Sequence, residues 1–93
     1  MIKKEIRTRR IAWEIMKKAA FRDRRLSDVT AEIYRREGDS ISDQDRRFIT
    51  MIVQGTVRLT GRLDWELSQV FIGDYKDLKE GLRILLRLGA FQL

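Results

Sequence analysis

An all-α bundle is the fold class that this chain predicts, and three features of the sequence predict it. No proline occurs in the 93 residues, and Arg, Leu, Ile, Lys and Glu, mostly good helix formers, are abundant. Apolar residues recur at steps of three and four over long segments, which is the period of a helix face and not of a strand. Turn chemistry falls between those segments, at "RDRR", "GDSIS" and "GDYKD". Four helices in a single domain follow from this pattern.

The first helix runs from Lys4 to Phe21. Ala12, Ile15, Met16 and Ala19 make its apolar stripe, flanked by Thr8 and Ile11. Arg7, Arg10, Lys17 and Lys18 project from the opposite face with Glu14 among them, and Trp13 sits at the border. The second helix opens with Leu26 as the preceding hydrophobe, Ser27 as N-cap and Asp28 at the positive end of the dipole. Leu26 is placed to staple onto Ala31, Val29 and Ile33 face inward, and Gly38 ends the helix after Glu37. Ile41, Ser42 and Asp45 repeat that logic as hydrophobe, cap and capping-box acid. Phe48, Ile52, Gly55, Leu59, Leu63, Leu67 and Val70 keep helical step without a break, so the third helix is expected from Asp43 to Val70 with a bend at Gly61. Gly55 inside that stripe marks a place where another helix crosses closely. Asp74 or Asp77 caps the fourth helix. Its stretch "LRILLRLGAFQL" puts Leu82, Leu85, Leu86 and Gly89 on one face, widened by Ile84, Leu88 and Phe91, and carries no stop signal. This reads as a bundle truncated while a helix is still running, with an apolar face that invites self-association.

Composition removes several function classes. Without Cys or His there is no ordinary zinc site, no Cys–His pair and no Ser–His–Asp triad. Asp43/Asp45 and Asp74/Asp77 are most simply helix-start acids, and Arg62 with Glu66 is an i,i+4 pair. No catalytic constellation emerges, so the chain itself is not expected to be an enzyme, and neither a cofactor nor a metal is expected in it. No run is long enough to span a membrane and no signal-type segment is present, which makes the cytoplasm the expected setting.

Charge carries the positive clue. The chain is +6 overall, yet residues 1–25 hold ten Lys or Arg against three acids, a net of +7, and the remainder sums to −1. Such a segment repels itself unless an anion binds, and Arg forks match phosphate well. RNA or DNA is therefore the expected partner; a solvated face and an anionic lipid surface are the other readings. Trp13 is more simply a packed tryptophan at a core edge than a base-stacking ring. A helix-turn-helix reader is excluded, because the third helix is too long and too apolar to lie free in a major groove.

The segments "ISDQDRRFITMIVQGTVRLTGRLDWEL" and "LRILLRLGAFQL" resemble the NusB-like domain that begins the RsmB (Sun/Fmu) family of bacterial ribosomal RNA cytosine-5 methyltransferases. Asp45-Arg46, Phe48, Gly55 to Arg58, Leu63-Asp64 and Leu86 to Leu93 take the places of the family pattern, and Arg9 to Met16 is similar to its opening helix. The resemblance implies an N-terminal fragment, residues 1–93, of a larger protein whose absent catalytic domain binds S-adenosylmethionine. This part would be an RNA-binding accessory module for ribosomal RNA. The resemblance places Arg7, Arg9 and Arg10 in an RNA-binding opening segment; Lys17, Lys18, Arg22, Arg24 and Arg25 join them on charge. Asp45, Arg46, Gly55, Arg58, Asp64, Arg87 and Gly89 are read as structural, some as ion pairs joining the third and fourth helices. Free-standing NusB proteins, which act in transcription antitermination with a ribosomal protein partner, share the fold and supply the alternative, beside a plain helical interaction domain.

Overall fold

The computed structural model describes residues 2–71 and 73–92, with side chains from Arg7 onward. Leu93, the last residue of the C-terminal pattern, lies outside them. Five α-helices form the bundle, one more than the sequence pattern predicts: α1 (Ile2–Phe21), α2 (Leu26–Glu37), α3 (Asp43–Arg58), α4 (Thr60–Val70) and α5 (Glu80–Phe91). Single 3-10 turns occupy Gly38–Ser40 and Tyr75–Asp77, and no strand occurs among the described residues. The helix α1 is the hub and packs on α2, α3 and α5, whereas α4 packs mainly on α5. The bundle is a slab of 42 × 31 × 19 Å.

Its core is aliphatic. Ile15 of α1, Ile33 of α2, Ile49 and Ile52 of α3 and Ile84 of α5 are fully buried and touch within one cluster. Each contributes about 1.5–3 kcal/mol by leaving water. On α5 the buried face is Ile84, Leu88 and part-buried Phe91, while Leu82 and Leu85 are exposed. Gly89 is also on the outside, and a Cβ there would meet nothing within 4 Å. The leucine face of α5 is thus split, with only its Ile84–Leu88–Phe91 side turned inward.

The extra helix arises at Leu59, not Gly61. Leu59 leaves helical geometry (φ −100°, ψ 15°), and its N–H is shared between the Gly55 and Val57 carbonyls. The Thr60 hydroxyl donates to the Thr56 carbonyl at 3.0 Å, a side-chain bond that competes with the ladder and bends helices. Beyond the break Leu63 is still buried, but Val70, expected on the inner stripe, is three-quarters exposed. The start of α2 also differs from expectation. Arg25 takes the extended N-cap position without a side-chain cap bond, and Leu26 lies inside the helix. Leu26 packs against the core while Ser27 and Ala31 face water, so burial of Leu26 overrides the cap preference of Ser27 and no staple forms.

Other signals hold. Gly38 adopts φ 57° with its N–H on the Tyr34 carbonyl, and Ser42 Oγ accepts from the Asp45 N–H at 3.1 Å. At Gly55 a Cβ would overlap the Phe91 ring, so α5 does cross α3 there. The cap of the last helix departs from expectation, since neither Asp74 nor Asp77 supplies it: Asp74 caps the second 3-10 turn through the Lys76 N–H at 3.0 Å, Asp77 lies within that turn, and Lys79 holds the N-cap position of α5.

Two arginines tie the elements. Arg87 grips Asp64 with two bonds, Nε to Oδ1 at 2.7 Å and a terminal nitrogen to Oδ2 at 2.9 Å, joining α5 to α4. The Tyr75 hydroxyl donates to Asp64 Oδ1 at 2.8 Å. Arg46 donates to the Gly38 carbonyl at 2.6 Å and lies 5.5 Å from the Tyr34 ring centre, fixing α3 to the end of α2. Arg58, expected among such ion pairs, is instead exposed and makes none with a described residue.

Candidate nucleic-acid interface

Each residue of a helix turns about 100° from the last, so neighbouring arginines on α1 diverge. Arg7 leans over α2, donating to Ser40 Oγ at 2.8 Å, to the Ser40 carbonyl at 3.2 Å and to Glu37 at 3.3 Å. Arg9 reaches α5 and α3 instead: its Nε donates to Gln92 Oε1 at 2.8 Å, and its guanidinium lies 5.6 Å from the Phe48 ring centre. Arg10 points out to solvent. The three residues of the Arg-rich opening therefore do not form one patch.

Acids along the seam of α1 and α2 absorb part of the basic segment. Arg36 forks Glu14 at 2.6 and 3.0 Å and also holds Glu37 at 3.0 Å. Lys18 lies 3.8 Å from Glu14 and 4.0 Å from Glu32, and Arg24 pairs with Glu32 at 2.6 Å. The Arg36 hydrogen bond holds the Glu14 carboxyl below the ordinary range against the opposing effect of burial, with Lys18 and Arg10 adding to it. Glu37 is lowered in the same way, by Arg36 first and Arg7 after it. Arg7, Lys18 and Arg24 are thus committed to holding α2 on α1.

Lys17, Arg10, Arg22 and Arg25 remain. Arg10, Arg22 and Arg25 are exposed, and their side chains make no hydrogen bond or ion pair with another described residue. Lys17 has no carboxylate partner among the described residues; its ammonium lies 4.5 Å from the Trp13 ring centre and 5.8 Å from that of Phe21. Arg10, Trp13, Lys17 and Phe21 follow one another by steps of 3, 4 and 4, which lines them along one outer ridge of α1. Trp13 is spent on packing, its indole N–H donating to the Gly81 carbonyl at 2.9 Å and its ring resting on Gly81. Phe21 closes the ridge and is 62% exposed. Attention to charge alone passes over Phe21, although its spacing from Arg10 and Lys17 carries the signal.

After Phe21 the chain turns sharply. Asp23 takes φ 48°, and the Arg24 N–H returns to the Ala19 carbonyl at 3.1 Å, a left-handed closure of the helix end. Arg22 and Arg25 flank that turn. A concavity of about 410 Å³ beside Arg7 at the start of α3 is lined by Asp39 and Asp45 as well, which makes it a poor seat for phosphate. Among the described residues no group of three or more acids, His or Cys is placed to hold a metal ion.

No curated protein and no solved structure matches the chain significantly. The model of the NusB family, in contrast, matches residues 6–93, from ahead of the basic ridge through α5, and on that match the chain belongs to the NusB family.

Proposed function

We propose that this chain is the RNA-binding accessory module of a small-subunit ribosomal RNA cytosine-5 methyltransferase, meeting RNA along the outer ridge of α1 and the turn that follows it. One observation carries the RNA reading: the basic segment is sorted. Arg7, Lys18 and Arg24 are neutralised by the acids of α1 and α2, while Arg10, Lys17, Arg22 and Arg25 stand without a carboxylate partner within 4 Å among the described residues. Arg10 and Lys17 lie on the outer ridge of α1, and Arg22 and Arg25 in the turn that follows it, where they are available to phosphates. Membership of the NusB family points the same way, toward an RNA-binding helical domain. The methyltransferase assignment is supported by the resemblance of the Gly55–Arg58 step, "RLDWEL" and the C-terminal stretch to that family's opening domain.

In this reading the methyl transfer belongs to another domain. The chain has no cysteine to attack a pyrimidine. S-adenosylmethionine does not fit the concavity of about 460 Å³ between α2 and α3, which has no carboxylate to hold a ribose and no glycine-rich turn. What these residues do is bind and orient. A cytoplasmic setting accords with that role, and no helix of the described residues is long and apolar enough to cross a membrane.

Fluorescence anisotropy of labelled small-subunit ribosomal RNA hairpins across a salt series tests the RNA role. Four phosphate contacts give a log–log salt slope of about −3. Changing Arg10, Lys17, Arg22 and Arg25 together to Glu abolishes binding, with the helical signal intact. Absence of binding by the folded wild type at low salt would overturn the reading. For the methyltransferase assignment, the chain added in trans should raise methylation of the same hairpins by an isolated catalytic domain of that family; no effect on methylation counts against it.

A further inference from the structure

We infer that Phe21 is the stacking platform of this interface, so that the ridge takes an unpaired nucleotide with its base on the Phe21 ring and its flanking phosphates on Lys17 and Arg22. This rests on the RNA reading above. A single exposed hydrophobe needs no explanation in general. Phe21 differs in three respects. It stays 62% exposed and outside the core cluster, on the outer ridge of α1 and away from the buried stripe of Ala12, Ile15 and Met16. Its position is fixed and not frayed, because the left-handed residue Asp23 and the Arg24-to-Ala19 bond at 3.1 Å close the helix immediately after it. It is also bracketed by cations: the Lys17 ammonium lies 5.8 Å from its ring centre on one side in sequence, and Arg22, whose side chain has no partner among the described residues, follows it on the other.

Trp13, the more obvious stacking ring, is disqualified by its bond to the Gly81 carbonyl and its packing on α5. It serves Phe21 indirectly. Lys17 is held between the two rings, so its ammonium sits beside Phe21 with less freedom than a surface lysine has. Cations alone bind paired and unpaired RNA with little distinction, since both offer phosphates. An aromatic face discriminates, because only an unpaired base can leave its neighbours and lie on it.

The test compares a labelled unpaired oligoribonucleotide with a perfect RNA duplex of the same length, each titrated across salt. Wild type should favour the unpaired strand. Phe21→Ala should weaken that strand about five- to a hundredfold while leaving the salt slope and the duplex affinity unchanged, since no cation is removed. Phe21→Trp should restore binding, and Lys17→Gln should instead lower the magnitude of the slope by about one. The inference is overturned if Phe21→Ala binds the unpaired strand within twofold of wild type while Arg10→Glu still weakens both RNAs. Failure of wild type to bind either RNA overturns the RNA reading itself, and the two failures are told apart by the wild-type curve alone.

Discussion

Asp64→Ala is the substitution that most directly tests how α4 is held. The carboxylate takes two bonds from Arg87, at 2.7 and 2.9 Å, and one from Tyr75 at 2.8 Å. The Arg87 side chain is only 11% exposed, and its other acid, Glu80, stands at 3.6 Å, beyond a good hydrogen bond. Removing Asp64 therefore strands a nearly buried guanidinium and leaves the buried Tyr75 hydroxyl without its acceptor. Breaking a buried pair costs about 3–5 kcal/mol. Asp64 itself keeps a third of its side chain in water, and Glu80 remains, so the expected loss is about 2–3 kcal/mol. A chain of this length has roughly 5–14 kcal/mol in total, which makes that a drop in Tm of about 10–20 °C. Thermal and urea unfolding followed by circular dichroism would read it, together with Arg87→Met and the double variant. The cycle should show a coupling of about 1 kcal/mol or more. Additivity within about 0.5 kcal/mol would refute the argument. Acid adds an independent check. Burial by itself would raise the Asp64 carboxyl, but hydrogen bonds from Arg87 and Tyr75 outweigh it and leave it below its ordinary value. Its contribution is therefore complete above about pH 4 and disappears as pH falls through that lower value, so Asp64→Asn should unfold with a shallower dependence on acid.

Gly55→Ala should cost about 1–3 kcal/mol in urea titrations in spite of the better helix propensity of Ala, because its Cβ overlaps the Phe91 ring; a stabilised variant would mean that the ring yields freely. Gly89→Ala is the contrasting case, with open space around it, and should stabilise by up to about 1 kcal/mol, read as a rise in Tm. Asp23→Asn should leave stability unchanged or slightly raised, since Asn also tolerates the left-handed region, and should tighten RNA binding by removing an acid from between Arg22 and Arg24; weaker binding would contradict the placement of the interface. Arg36→Met should flatten the acid limb of unfolding below about pH 4.5, where protonation of Glu14 and Glu37 removes stability that only their depressed folded values provide, and an unchanged acid limb would deny that Arg36 is the cause.

The helical class, the end of α2 at Gly38, the Ser42 cap and the crossing at Gly55 were all legible, because each is set by a local rule acting on one or two residues. The break at Leu59 was not. The apolar step of four continues straight through it, and the cause lies in Thr60 turning its hydroxyl onto a carbonyl, which periodicity does not register. Ser27 lost the N-cap of α2 for a similar reason: a cap rule worth about 1 kcal/mol is outweighed when the core claims Leu26. Within the candidate interface, the excess charge of the first 25 residues was plain, but its partition was not. Which arginines stay free is decided by Glu32, Glu37 and Arg36 arriving from α2, and that depends on how two helices dock.

The place of α1 at the hub of the slab has a consequence for motion. A loop-borne binding surface can open on its own, but a ridge carried by a helix that packs on α2, α3 and α5 at once cannot. Amide hydrogens along the middle of α1 should exchange with deuterium only at the rate of whole-molecule unfolding, whereas those of α4, anchored mainly on α5, should exchange sooner through partial openings. A ligand on the ridge would then slow exchange across the entire bundle and not merely beneath its own footprint.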